Sequence, residues 1–354
     1  MKVVFAGLSV TSSWGNGHAT NYRALMRALA QRGHDVTFLE RDVPWYAAER
    51  DMPEPPWGRA FLYRSLDELA DRFGAEIAGA DLVVVGSYVP EGVAAAELIL
   101  DRAGGATAFY DIDTPITLAK LERGDTEYLA PELVPRFDLY LSFTGGPTLR
   151  VLEERWGARA AYAFYCLVDP DVYAPAGAAP PRWDLGYLGT YSADRQPQVD
   201  DLLIAPARRA RERSFVVAGP QYPDSIEWPP NVERRAHVPP ARHAAFYGAQ
   251  RFTLNVTRAD MRRAGWSPSV RLFEAAACAV PVISDRWPGI EELFVPGEEI
   301  LLADSADDVL AFLERLTGDE ARAIGARARE RVLREHTAER RAEQLEALVQ
   351  AVPA

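Results

Sequence analysis

Short apolar runs that do not alternate with polar residues recur along this chain, and most are followed by a helix-length amphipathic stretch. Such runs suit strands covered on both faces, the habit of parallel sheets. A parallel pair needs a crossover, and crossovers are right-handed. VVFAGL over 3–8, a helical pattern over 19–33 and DVTFLE over 35–40 make one such unit. Tyr22, Leu25 and Leu29 mark the inner face of that helix, and Gly33 ends it. A loop rich in Pro and Trp follows over 44–59. The pattern then predicts helix 66–78, strand 82–86, helix 91–103, strands 106–110 and 138–143, helix 147–156 and strand 160–165.

A Pro-rich stretch over 169–183 breaks the pattern, which then restarts. Strand 184–189, helix 197–211, strand 214–219, a short strand within 232–238, helix 240–248 and strand 252–256 come next. Helix 268–278, strand 281–283, helix 288–294, strand 299–303 and helices 306–317, 319–334 and 337–351 complete it. The fold class is therefore α/β, with two doubly wound Rossmann-like domains. The expected boundaries are 1–168 for the first, 169–183 for the linker and 184–354 for the second. No repeat of 20–50 residues is visible.

The chain has 354 residues, long for one core and suited to two domains. Its net charge of -12 argues against nucleic acid as a partner and against a polybasic membrane patch. Any anion site must be built locally. Between Arg251 and Glu274 there are five arginines (Arg251, Arg258, Arg262, Arg263, Arg271) against Asp260 and Glu274. The alternative for this island is an arginine-rich surface loop. Only Cys166 and Cys278 are present, and neither forms a metal-type pair, so a reduced, cytoplasmic protein is expected. No apolar run approaches the ~18 residues of a membrane span.

The segment SPSVRLFEAAACAVPVISD, residues 267–285, is the most informative for chemistry. Ser267 is read as the cap of a helix with Pro268 in its first turn. A helix start presents free N–H groups and a positive dipole end, which suit a phosphate; Ser269 lies there too. Ser267, Arg271 and Glu274 stand four and three residues apart and so share one face. A carboxylate on so apolar a helix is costly to bury unless something hydrogen-bonds it, and a ribose would do so. Phosphate and ribose together make a nucleotide. The alternative is ordinary punctuation with a solvated glutamate.

With WPGIEELFVPGEEILLADSADDVLAFLERL over 287–316, this segment resembles glycosyltransferase family 4, and more closely the CgeB-like proteins, within the GT-B glycosyltransferases. The resemblance covers the second half from Asp184 to about Leu316. It implies two Rossmann-like domains facing across a cleft, a nucleotide-diphosphate sugar as co-substrate rather than a cofactor, retention of anomeric configuration and no need for metal. The last helix would pack back on the first domain. Glu274 matches the second glutamate of the family's Glu-x7-Glu motif, which binds the ribose. The first would fall at Trp266, a departure at the donor-sugar contact. The loop GTYSADRQP over 189–197 stands where the family binds diphosphate, with Thr190 in place of an arginine and Arg195 resembling the lysine. Arg258 and Arg271 are candidates for the missing charge, since guanidinium pairs well with phosphate.

In the first domain, SVTSSWGNGHATN over 9–21 lies where GT-B enzymes place a glycine-rich turn. Gly15 and Gly17 permit close approach to a ligand. His18 is a candidate for contact with a phosphate or acceptor; the alternative is a plain helix residue. FYDIDTP over 109–115 carries Asp111 and Asp113. An Asp-x-Asp metal motif is discounted because two winds are present. Asp113 is the candidate general base and Asp111 its companion, and the alternative for Asp113 is a helix-capping turn residue. Trp14, Asn16, Trp45 and Tyr46 are candidates for an acceptor platform. The acceptor and the oligomeric state are open. A nucleotide-sugar 2-epimerase and a non-catalytic nucleotide- or sugar-binding protein remain as alternatives. The absence of a clear second-domain histidine counts against the epimerase.

Overall fold

A computed structural model describes residues 1–15, 17–177 and 180–353. The chain divides into two compact units, 1–167 with 338–354, and 168–337.

The first unit runs β1 (Lys2–Gly7), α1 (His18–Gln31), β2 (Asp35–Arg41), α2 (Pro44–Ala47), β3 (Arg59–Tyr63), α3 (Leu66–Ala78), β4 (Leu82–Gly86), α4 (Gly92–Leu100), β5 (Ala106–Asp111), α5 (Thr114–Glu122), β6 (Leu139–Ser142), α6 (Pro147–Glu154) and β7 (Ala161–Ala163). Its seven strands are parallel, in the order β3-β2-β1-β4-β5-β6-β7. The order reverses between β1 and β4, which are neighbours. The five residues of β4 are all buried, as an apolar run between two helix layers requires. Val83, Val85, Phe109 and Tyr140 pack with Leu69, Phe73, Ile77 and Ile99 of the helices α3 and α4.

The second unit runs β8 (Trp183–Leu188), α7 (Gln196–Val199), a π-helical stretch Asp200–Ile204, α8 (Ala205–Arg209), β9 (Phe215–Ala218), β10 (Val232–Arg235), α9 (His243–Gly248), β11 (Gln250–Asn255), α10 (Ala259–Ala264), α11 (Val270–Ala277), β12 (Val282–Asp285), α12 (Ile290–Leu293), β13 (Leu301–Ala303), α13 (Ala306–Arg315) and α14 (Gly318–Glu335). Its six strands are parallel in the order β10-β9-β8-β11-β12-β13, with the reversal between β8 and β11. A capping box, Thr317 with Glu320, opens α14.

The final helix, α15 (Ala338–Gln350), belongs to the first unit and packs on α1. Arg32 clasps Glu346 with two bonds of 2.7 Å, and His34 Nε2 lies 2.6 Å from the same carboxylate. Gln344 and Arg341 reach the carbonyls of Ala163 and Tyr165.

Several expectations need correction. β3, α2, α5 and α10 were not anticipated. At α5 the Thr-Pro pair reads as a turn, yet proline in the first turn starts a helix just as well. The motif helix starts at Val270, not Pro268: Ser269 is the N-cap with extended backbone, and it makes no side-chain cap bond. Its Oγ instead donates to Asn255 Oδ1 at 2.7 Å, which holds the chain extended past the proline. Ser267 is buried and is not the cap.

Candidate active site

In doubly wound sheets, ligands bind beyond the carboxyl ends of the strands where the order reverses. Each unit has one such rim, and the two differ in chemistry.

In the first unit the rim lies at the ends of β1 and β4. Both strands end in glycine because Tyr22 of α1 and Phe38 of β2 crowd there. A Cβ on Gly86 would fall 2.0 Å from the Tyr22 hydroxyl, and one on Gly7 2.4 Å from the Phe38 ring. That hydroxyl is buried and has no hydrogen-bond partner among the described residues. The loop after β1 is fastened by two carboxylates. Buried Glu40 accepts the Val10 and Thr11 amides at 2.7 and 2.9 Å and the Thr11 hydroxyl at 2.7 Å. Asp51 accepts Ser13 and both Nη atoms of Arg23, which hold its carboxyl at a pKa of about 2.

His18 begins α1 behind Gly17, which is its N-cap; the Gly17 carbonyl accepts Thr20 Oγ1 and Asn21 Nδ2. The His18 ring lies 5.4 Å from the ring of Tyr88, and its buried Nδ1 has no partner among the described residues. Burial lowers the His18 pKa against the opposing pull of Asp113, so the imidazole is neutral at pH 7. Tyr88 donates to Asp113 Oδ2 at 2.9 Å. The structure thus brings His18 and Asp113 together, with Tyr88 as an unanticipated third member. Tyr88 holds φ 64°, a left-handed backbone that a bulky residue seldom adopts. Asp113 does occupy the N-cap position of α5, but without a side-chain cap bond.

Asp111 lies beneath them. It is fully buried, accepting Tyr140 at 2.6 Å, Thr117 at 2.7 Å and the Asp113 amide at 3.3 Å. Burial raises its pKa to about 6, against those hydrogen bonds. It braces the strand end, with its carboxylate buried on protein partners, whereas the sequence reading made it a catalytic companion of Asp113. Trp14 and Trp45 are exposed, but Tyr46 is buried and drops out of the expected platform. Asn16 lies outside the described residues. No group of three metal-ligating side chains forms among the described residues.

In the second unit the rim lies at the ends of β8 and β11. Arg271, nearly buried, lays its guanidinium 4.9 Å from the Tyr187 ring centre. Its Nε donates to the Leu188 carbonyl and its Nη1 to Asn255 Oδ1 at 3.0 Å, so it joins the two strand ends. Gly189 makes room: a Cβ there would fall 2.9 Å from Arg271 Nη2 and 2.7 Å from the Tyr187 hydroxyl. That hydroxyl too is buried without a partner among the described residues. In the following loop Arg195 Nη2 donates to the Thr190 carbonyl at 2.7 Å, while its buried Nε has no partner among the described residues. Arg258 Nε lies 3.7 Å from Asp194. Around Asn255, Ser269 and Ser284 form a network with Thr257 and buried Asp285, whose pKa burial raises to about 6.

The arginine island divides. Arg251 stands at the opposite end of β11, on the carbonyls of Leu313 and Leu316, and takes no part in this rim. Arg263 pairs with Asp260 on the surface. Glu274 is buried as expected, but protein groups already hydrogen-bond it. Tyr247 donates to its Oε2 at 3.1 Å, and Tyr173, from the Pro-rich linker, bonds it too. His243 Nδ1 lies 3.9 Å away. A second-unit histidine therefore does exist. Its Nε2 lies 3.0 Å from the Val238 carbonyl and its Nδ1 3.3 Å from the Tyr173 hydroxyl, so both ring nitrogens have protein partners. Tyr88, Asn255, Tyr247 and His243 had no sequence signal beyond residue type.

Residues 195–347 match a family model described as glycosyl transferase-like. The second half of the chain carries a glycosyltransferase-type domain. No curated protein matches the chain by sequence. Among solved structures, HepE of Anabaena in complex with UDP-glucose is similar at TM-score 0.70 and 14% identity, over 99% of this chain and 100% of that one. A sucrose-phosphate synthase from Thermosynechococcus elongatus gives TM-score 0.70 at 14% identity, over 99% and 98%. An alpha-glucosyltransferase in complex with UDP and a 13-mer DNA gives 0.71 at 13% identity, over 98% and 99%. These likenesses show the fold, the two-domain GT-B arrangement of doubly wound units. No helix among the described residues is long and apolar enough to cross a membrane.

Proposed function

We propose that this protein is a glycosyltransferase of the family 4 and CgeB-like kind, which takes a sugar from a nucleoside-diphosphate donor. The observation that carries the reading is Arg271, joining the ends of β8 and β11 at the reversal point one helical turn before Glu274. A guanidinium held there, with Arg195 and Arg258 on the neighbouring loops and the start of α11, suits a leaving diphosphate without a metal. Glu274, held in place by two tyrosines, would present its remaining acceptor capacity to a ribose. HepE and the alpha-glucosyltransferase have been crystallised with UDP or UDP-glucose, which makes a UDP-sugar the first donor to try.

The acceptor would bind at the first unit's rim. Asp113 would take its proton, with neutral His18 as a hydrogen-bond partner and Trp14 and Trp45 as a surface for an apolar face. Retention follows from the family resemblance. The test is calorimetric titration with UDP, GDP, ADP and dTDP, each with EDTA and with magnesium. Micromolar binding of one of them in EDTA is expected. Absence of binding by all four would overturn the reading, and binding only with magnesium would overturn its metal-independent form. Product analysis then separates transfer from epimerisation.

A further inference from the structure

The chain passes from one unit to the other twice, between Leu167 and Val168 and between Thr337 and Ala338. On the second unit's side the two crossings run together. Val168 and Thr337 form a parallel bridge, and the Val168 amide donates to the His336 carbonyl at 3.0 Å. Past Val168 the chain turns at once. The Val172 and Tyr173 amides donate to the Asp169 carbonyl at 3.1 and 2.9 Å, and the Asp171 amide to Asp169 Oδ1 at 3.0 Å. Val168, Tyr173, His336 and Thr337 are all buried. The first residues of the Pro-rich stretch are therefore a fastened turn and not a slack tether.

Two consecutive residues of α11 hold these crossings. The buried Phe273 ring stacks on the His336 ring, with centroids 4.2 Å and planes 12° apart. Its neighbour Glu274 is bonded by Tyr173, whose hydroxyl also lies 3.3 Å from His243 Nδ1. One side chain thus reaches the second crossing and the next reaches the first. Successive helix residues point about 100° apart, so the two contacts together fix the rotation of α11 about its axis. Buried, close-packed contacts of this kind transmit small displacements rather than absorb them. We infer that α11 couples occupancy of the nucleotide site to the two crossings: a ribose bound on Glu274 fixes its carboxylate, and with it Tyr173 and the turn 168–173. This rests on the nucleotide reading of the same helix. Tyr173 is then a positioning residue, and the coupling acts in both directions, from site to turn and from turn to site.

The test is amide hydrogen exchange of wild type and Tyr173→Phe, each free and saturated with UDP, or with whichever of GDP, ADP and dTDP binds more tightly. Phenylalanine keeps the ring and removes only the hydroxyl; the melting temperature checks that the variant is folded. In wild type the nucleotide should slow exchange of the Val168, Val172 and Tyr173 amides by about fivefold, the size of one hydrogen bond. In Tyr173→Phe that slowing should vanish, while the amides of α11 still slow on binding. Unchanged or faster exchange at the three amides of wild type, with the nucleotide bound, overturns the inference and leaves the nucleotide reading intact. So does the same slowing in the Phe variant, because the hydroxyl then carries no coupling. A Phe variant that no longer binds the nucleotide also overturns it, since Tyr173 would then build the pocket itself. Failure of all four diphosphates to bind wild type overturns the nucleotide reading, and the inference with it.

Discussion

The two sheets are wound alike, but their rims are built from opposite charges. After β1 the loop is fastened by carboxylates, Glu40 and Asp51, and a neutral histidine and an aspartate cluster around Tyr88. After β8 the loop is fastened by guanidinium, with Arg195 on the Thr190 carbonyl and Arg271 on the Leu188 carbonyl. The first set suits the movement of a proton, and the second suits holding an anion. The shared topology explains why both sets stand at a strand-order reversal, but the chemistry belongs to a few side chains on the loops. In a protein with net charge -12, the cationic rim is a local construction.

The contrast makes predictions of graded size. Asp113→Asn should lower transfer by about a thousandfold, within the range for general-base catalysis, and leave nucleotide affinity unchanged. Steady-state kinetics beside calorimetry checks this, and unaltered turnover would end the proton-transfer role of the first rim. Glu40→Ala leaves the Val10 and Thr11 amides unpaired in a buried loop and should cost about 3 kcal/mol of folding stability. Urea unfolding measures it; a loss under ~1 kcal/mol would mean the loop is not held by its carboxylate.

Glu274→Ala should weaken nucleotide binding by about 2 kcal/mol, the scale of a hydrogen bond to a charged group. Equal affinity in variant and wild type would remove the ribose contact from the second rim.

Asp111 gives a pH signature. Its folded pKa of about 6 lies above the unfolded 3.8. The unfolded chain therefore releases this proton first as pH rises. The stability that the protonated carboxyl contributes is full below pH ~4 and is lost as pH rises through ~6, a change of about 3 kcal/mol. Asp111→Asn should flatten this slope relative to wild type in unfolding experiments between pH 4 and 7. An identical slope would show that Asp111 does not titrate there. The smallest effect expected is for Tyr88→Phe, which removes one hydrogen bond to Asp113. Transfer should fall about fivefold to tenfold through kcat rather than KM, and an equal change in both would point to substrate binding instead.

The element pattern was legible where burial is regular. Strand 82–86 and helix 66–78 match their elements because an all-apolar run and an amphipathic period leave one way to bury themselves. Legibility failed where short polar segments decide. α2 and α10 have four and six residues, too few for periodicity to show. The start of α11 moved by two residues because Ser269 bonds Asn255, fourteen positions earlier, in preference to its own helix. In the candidate site, His18, Asp113, Arg195 and Arg271 stand near strand ends, whereas Asp111, Tyr46 and Glu274 are buried and Arg251 lies at the opposite end of β11.

The sequence by itself determined that two parallel α/β units would form and that residues 267–285 would join a helix to a strand. Those outcomes follow from local pattern, hydrophobic period and glycine and proline placement, which are written along the chain. Only the tertiary structure decided which carboxylates are spent on buried hydrogen bonds, and that Tyr88 would meet Asp113 or Tyr247 meet Glu274. Such pairings join residues 25 and 27 positions apart. Their physical cause is the register of neighbouring strands and the packing of helices on them, which no local window contains.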